Sequence, residues 1–274
     1  MTGPSMQPLS ELRPHAARVS VVLADIDDTI TTDGRLSAEA YGALERLQAA
    51  GFRVAPITGR PAGWCDMIAR FWPVDAVVGE NGAFFFRYDH AARRMIRRFW
   101  ASDAERAQAR GKLDALAHKI LSAVPGAALA ADQAYRVADL AIDFREDVEP
   151  LSEAAIDTIV RAFEEAGAVA KVSSIHVNGW FGAYDKLSMT RALLRDEFGL
   201  DEAAQAERVL FVGDSPNDEP MFAAFPLSVG VANVAEAAAR IRRLPRYVTE
   251  GRSGAGFVEL ARLLLEVREG RRAA

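Results

Sequence analysis

The stretch VVLADIDDTITTDG, Val21 to Gly34, drives an apolar run straight into Asp25, Asp27 and Asp28. Val19 to Ala24 is short and rich in β-branched residues, the pattern of a buried strand, so the first acid stands at a strand's carboxyl end. Packed carboxylates repel one another unless a proton or a cation intervenes. Thr29 follows them in place of a basic partner, so the compensating positive charge has to come from outside the stretch.

Outward from this point the chain alternates strand and helix. SAEAYGALERLQAAG begins with Ser37 as an N-cap, places Ala40, Leu44 and Leu47 on one face and stops at Gly51. FRVAPIT reads as a strand ending at Thr58, PAGWCDMIARF as a helix starting after Arg60, and DAVVGEN as a third strand. Such alternation implies a parallel sheet with helices on both faces. After Asn81 and Gly82 the rhythm changes: AFFFRYD and MIRRFW suggest an antiparallel hairpin, followed by a helix over 103–123. YRVADLAIDF, a helix over 152–166, VAKVSS and IHVNGW complete a unit of about four strands and two helices. The alternation resumes with a helix from Asp185, the strand RVLFVG before Asp214, a short helix near Glu219, LSVGVA and the helix GFVELARLLLEV. The expected fold is α/β, a Rossmann-like doubly wound parallel core over 19–82 and 183–274, with an inserted α/β cap over 83–182. Residues 1–18, with three prolines, read as a flexible tail.

With 274 residues, 50% hydrophobic, the chain can bury a full core. A net charge of -5 argues against a general binder of nucleic acid or acidic membranes and toward small-molecule partners. The single Cys65 excludes an intramolecular disulfide and a cysteine zinc cluster, and reads as a small buried apolar residue. The first eighteen residues lack the apolar centre of a secretory signal, and no run approaches the roughly 18 apolar residues of a membrane span. A soluble cytoplasmic protein is expected, monomeric or homodimeric.

Open parallel sheets bind ligands beyond the carboxyl ends of their strands. Those ends here carry Asp25, Thr58, Asn81 and Asp214. In VGDSPNDEPMF, Asp214 follows a strand and Asp218 lies beside the next helical turn, an echo of the opening cluster. Two facing acidic clusters call for a hard divalent cation, and magnesium takes oxygen ligands while leaving room for water and phosphate. Nothing resembles a calcium-binding helix-loop-helix, and the four histidines are too scattered for zinc. Lysine occurs at 112, 119, 171 and 186, and an ammonium at Lys186, just ahead of the last core segment, suits a phosphate oxygen.

Together these residues resemble the haloacid dehalogenase superfamily of phosphatases, in the branch with an α/β cap inserted after the third core strand (subfamily IIB). The likeness spans nearly the whole chain. Its four motifs occur in order: Asp25, Asp27 and Thr29; Thr58 in PITGR; Lys186; and Asp214 and Asp218 in GDSPNDEPM. GENGA at 79–83 looks like the family's exit into its cap. One departure stands out: many relatives follow the motif lysine with Gly, whereas this chain has Leu187.

The resemblance implies a magnesium-dependent phosphomonoester hydrolase acting on a small phosphorylated metabolite such as a sugar phosphate or phosphoglycolate. Asp25 would be the nucleophile that forms an aspartyl-phosphate, and Asp27 the acid and base, with a carboxyl raised toward neutrality. Asp25, Asp27 through its carbonyl, Asp214 and Asp218, directly or through water, would hold the metal. Thr58, Gly59, Asn81 and Lys186 would bind the phosphoryl group. In the cap, Arg136, His176 and Asn178 are the specificity candidates: His176 and Asn178 share a strand face, and Arg136 would meet an anionic group of the substrate. That cap pattern is similar to archaeal phosphoglycolate and sugar-phosphate phosphatases. A sugar phosphomutase, a phosphorylation-dependent receiver and a non-catalytic phosphometabolite sensor are the competing readings. The receiver needs about half this length and has no large cap, the sensor would not need both Asp25 and Asp27, and a dinucleotide enzyme lacks its glycine-rich loop.

Overall fold

The computed structural model describes residues 6–173 and 175–273. From the amino terminus run β1 (Gln7–Pro8), α1 (Arg13–Ala16), β2 (Val21–Ala24), α2 (Ala38–Ala49), β3 (Arg53–Pro56), α3 (Ala62–Phe71), β4 (Val77–Gly79), β5 (Phe84–Asp89) and β6 (Arg94–Phe99). The next elements are α4 (Asp103–Ala123), β7 (Ala128–Leu129), β8 (Leu140–Asp143), α5 (Glu153–Glu165), β9 (Val169–Val172) and β10 (His176–Trp180). The chain closes with α6 (Lys186–Asp196), α7 (Glu202–Arg208), β11 (Val209–Gly213), α8 (Glu219–Ala224), β12 (Leu227–Gly230), α9 (Val234–Ala237), β13 (Tyr247–Val248) and α10 (Ser253–Ala273).

The main sheet has the order β1-β13-β12-β11-β2-β3, and all its strands are parallel. Strand alternation decides which helices cover it. Val22 and Ala24 join the cluster with Leu44 and Leu47 of α2 and Leu260 and Leu264 of α10, while Val21 and Leu23 join Leu193 and Leu194 of α6 and Phe222 of α8. Both faces of β2 are thus dry, which is why its sequence is continuously apolar rather than alternating. Ser37 accepts the Ala40 N–H and starts α2, a cap typically worth about 1 kcal/mol.

Neighbouring β2, the chain runs to β3 on one side and returns through β11 on the other. This reversal of winding opens a crevice beyond the carboxyl ends of β2 and β11, the place where α/β sheets bind ligands. Asp25 and Asp214 are the residues that follow those two strands.

The cap is smaller than the sequence suggests. β5 pairs antiparallel with β4, which bridges to the main sheet through Ile57 and Val78. Phe84, Phe85 and Phe86 are all buried, and they divide between the two clusters on the core's faces. The hairpin of β5 and β6 therefore extends the core, and the insertion expected to begin at residue 83 begins after it. What remains is the four-stranded sheet β7-β8-β10-β9, covered by α4 and α5 through Leu113, Leu116, Ile120, Ile159 and Phe163.

The expected flexible tail is corrected over residues 6–18. β1 pairs with β13, and Leu9 and Leu12 are buried in the core; residues 1–5 lie outside the described residues. Among the described residues, no helix is long and apolar enough to cross a membrane. Cys65 is buried, as its apolar reading implies, and burial pushes its thiol well up from the ordinary range.

Candidate active site

Asp25, Asp214 and Asp218 each bring a carboxylate oxygen to within 4.8 Å of the others. The Lys186 ammonium stands among them, 3.1 Å from Asp25 Oδ1 and 3.0 Å from Asp218 Oδ1. Asp185 caps α6 by accepting the Ser188 N–H, which sets Lys186 at the helix's first residue. Gly82 lets the chain cross there: it has φ +105, and a side chain would place its Cβ 2.0 Å from the Asp185 carbonyl oxygen. Leu187, the departure from the family pattern, packs partly buried against the second core cluster while the lysine reaches Asp25.

Hydrogen bonds fix the acids as well. Asp214 accepts from Thr29 Oγ1 at 3.2 Å and from Asn233 Nδ2 at 3.0 Å. Asp218 Oδ2 accepts the Asp214 and Ser215 N–H groups at 3.1 and 3.3 Å. Asp28 adopts a left-handed conformation, φ 55, and its carbonyl accepts from Asn233 at 3.0 Å, which supports a role in shaping the loop.

The electrostatics follow from burial. Desolvation, opposed by Lys186 and reinforced by Asp218 and Asp27, pushes the Asp25 carboxyl up to about 7. Burial, with the charges of Asp218 and Asp25, pushes Asp214 up to about 9. Burial works against the charge on Lys186, but Asp218 and Asp25 hold its ammonium above the ordinary range. One ammonium does not balance three buried carboxyl groups, so two of them keep their protons to a higher pH, and a cation bound among these hard oxygen donors would take the protons' place. That donor set fits a divalent cation of the magnesium type.

Asp27 is separate from this group. Its carboxylate receives three hydrogen bonds from Arg60, of 2.9 to 3.2 Å, and its side chain is 26% exposed. Thr58 is fully buried, accepting the Arg60 N–H on Oγ1 at 3.0 Å. Asn81 has φ 54, lies against Gly59, and its buried Nδ2 has no hydrogen-bond partner among the described residues.

The cap closes over these groups and leaves a cavity of about 30 Å³, bordered by Asp25, Asp27, Arg60, Asn81, His176 and Asp214, room for a water or two. His176 and Asn178 do share a face of β10, and both border this cavity. Asn178 donates to Asp139 Oδ2 at 3.1 Å, and His176 Nε2 lies 2.9 Å from Glu146 Oε2. Arg136 stands on a turn rather than in the strand suggested by YRVADLAIDF. Its guanidinium, also at the cavity's edge, donates to Asp132, to Asp139 and to the Gly59 carbonyl, and its side chain is 1% exposed. Those internal partners occupy the groups that were expected to bind a substrate anion.

Sequence reasoning missed Arg60, Glu80, Glu146 and Asn233. Glu80 is fully buried and accepts N–H groups from Ala62 of the core and from Val137, Ala138 and Asp139 of the cap, pinning one to the other. Arg60 had a signal, its place two residues after Thr58. Glu146 had none, because it reaches the site only through the fold.

Residues 22–104 match the family model of the haloacid dehalogenase-like hydrolases. Over that segment the chain is similar to this hydrolase family. The matched segment holds Asp25, Asp27 and Thr58, while Lys186, Asp214 and Asp218 reach the same crevice from beyond it. No curated protein matches the chain. Solved structures share the fold across nearly its full length. A protein of Thermoplasma acidophilum is 18% identical, with TM-score 0.69, over 91% of this chain and 99% of its own. The C-terminal domain of Candida albicans trehalose-6-phosphate phosphatase is 14% identical, with TM-score 0.71, over 97% and 99%. The sucrose-phosphatase of Synechocystis, solved with sucrose and phosphate, is 16% identical, with TM-score 0.61, over 90% and 98%. At these identities the likeness establishes the fold alone.

Proposed function

We propose that this hydrolase removes the phosphoryl group from a small phosphorylated metabolite, such as a sugar phosphate or phosphoglycolate, through an aspartyl-phosphate on Asp25. The observation that carries the reading is the Lys186 ammonium joining Asp25 to Asp218, beside Asp214, at the switch point of the sheet. Asp25 attacks phosphorus, Asp27 gives a proton to the leaving oxygen, and the resulting carboxylate then takes a proton from the water that releases phosphate. Lys186 and the unpartnered Asn81 amide offer N–H groups to phosphoryl oxygens, while the buried Thr58 hydroxyl sets the loop beneath them. Asp25, Asp214 and Asp218 would hold magnesium, with Asp27 contributing through its main chain; the ion supplies positive charge against the anionic ester and the buried carboxylates.

The closed cavity is too small for any such substrate, so entry requires the cap to move. His176 and Asn178 then face the leaving group. The substrates named for the trehalose-6-phosphate and sucrose phosphatases point to a phosphorylated sugar as the first class to screen. The test is phosphate release from a panel of phosphate esters, with magnesium and with excess chelator. Release that needs the metal supports the reading; equal release in chelator, or conversion of a sugar phosphate without free phosphate, contradicts it.

A further inference from the structure

We propose that Arg60 is the positioning residue for Asp27, and that Glu146 and His176 of the cap hold Arg60 in place, so the cap shares in proton transfer as well as substrate choice. The inference rests on the reading of Asp27 as proton donor. Arg60 leaves the core loop just before α3, and the ring of Trp64, at the helix's first turn, covers its guanidinium at 4.5 Å. Its Nε donates to Asp27 Oδ1 and Oδ2 at 3.2 and 3.0 Å, and its Nη2 donates to Oδ1 at 2.9 Å. The same Nη2 donates to Glu146 Oε1 at 3.1 Å, and the other oxygen of Glu146 lies 2.9 Å from His176. Glu146 is itself placed by Asp143 at the end of β8, whose carboxylate accepts the N–H groups of residues 145, 146 and 147.

The result is a continuous chain of polar contacts from His176 on β10 of the cap, through Glu146 and Arg60, to the acid loop of the core. A planar guanidinium bound along the carboxylate fixes where its oxygens point, which a lysine's point charge does not do. Asp27 Oδ1 takes two of the three hydrogen bonds and Oδ2 one, so Oδ2 keeps a lone pair for the transferred proton. In the first step an Asp25 oxygen bonds to phosphorus and the bond from phosphorus to the leaving oxygen breaks. Its electron pair stays on the leaving oxygen, which takes the proton from Asp27. When the cap lifts, Arg60 loses Glu146, which His176 backs, and Asp132, whose Oδ2 lies 3.6 Å from its Nη1, and only the Trp64 ring still steadies the guanidinium along Asp27. The geometry is complete only with the cap closed.

The experiment compares an alkyl phosphate with p-nitrophenyl phosphate, whose leaving group departs with little protonation. Wild type, Arg60→Lys, Arg60→Ala and Glu146→Gln are measured for kcat and KM. Arg60→Lys should lower kcat for the alkyl ester by about 100-fold but for the aryl ester by less than about threefold, since general acid catalysis serves only the poorer leaving group. Glu146→Gln should shift the alkyl-to-aryl ratio in the same direction, and added guanidinium should restore part of the alkyl activity of Arg60→Ala. Equal losses on both esters overturn the inference and leave the phosphatase reading standing. Wild type inactive on both, and on the wider panel, overturns the phosphatase reading itself. If the Arg60 variants fail to fold, Glu146→Gln decides, because its side chain is 31% exposed and its loss spares the core; an unchanged ratio in that variant overturns the inference.

Discussion

Replacing Lys186 with Met keeps most of a buried, unbranched side chain and removes the ammonium that Asp25 and Asp218 share. Removing one partner of a buried pair costs about 3–5 kcal/mol, because the other charge is left unpaired. Here two carboxylates lose their counter-charge, beside a third at Asp214. In a chain of this size each kcal/mol moves Tm by about 2–4 °C, so Lys186→Met should melt roughly 6–20 °C lower without divalent cation. The loss should depend on pH. Asp25, at about 7, and Asp214, at about 9, lie above their unfolded value of 3.8, so the folded state holds more protons in between and these acids cost stability as pH rises. Protonation at pH 5 replaces part of the missing charge, and magnesium at pH 8 replaces it differently. Thermal melts followed by circular dichroism at both pH values, with and without magnesium, read this directly. Turnover of all esters should fall by about tenfold to a hundredfold, the worth of one charge-assisted contact to the transferring group. Unchanged Tm at pH 8 without metal, or loss confined to one substrate, would refute the account of Lys186.

Arg136→Met should lower stability by about 3–5 kcal/mol, since it strands Asp132 and Asp139 in the interior, and urea unfolding would show it. His176→Ala should instead reorder substrate preferences in kcat/KM with a smaller change in stability; a uniform loss across substrates would remove His176 from specificity. The Glu146 carboxyl is held down at about 2 by His176, whose Nε2 lies 2.9 Å from it, with Arg60 assisting against desolvation, whereas its ordinary value is 4.5. A depressed acid stabilises the folded state above its unfolded value, so the stability difference between wild type and Glu146→Gln should be level above pH 4.5 and shrink as the pH falls toward 2.

The core was legible because β2 and β11 run straight from apolar residues into Asp25 and Asp214, and β3 reaches Thr58 just past Ile57. Asp25, Thr58 and Asp214 could be assigned to one sheet edge from alternation alone, and the helix expected from Asp185 put Lys186 at its start. The limits of the cap were not legible in the same way. AFFFRYD looks like any hairpin strand, and only its pairing with β4 assigns it to the core. β1 and β13 are two residues each, too short to carry a period, and Pro8 disguises an edge strand that packs Leu9 and Leu12. Arg136 illustrates the harder problem. A basic residue in a cap reads equally well as an anion receptor or as the counter-ion of Asp132 and Asp139, and the choice depends on side chains brought together by a turn. Arg60 was hidden by abundance, one arginine among many in this chain.

The most direct test asks whether Asp25 carries the phosphoryl group during turnover. A single turnover with magnesium and a substrate drawn from the ester panel, quenched in acid and digested, allows the peptide containing Asp25 to be examined by mass spectrometry. The account predicts a phosphoryl group on Asp25, labile to hydroxylamine, and its absence in a folded Asp25→Asn variant that releases no phosphate. Phosphate release by that variant at the wild-type rate would contradict it.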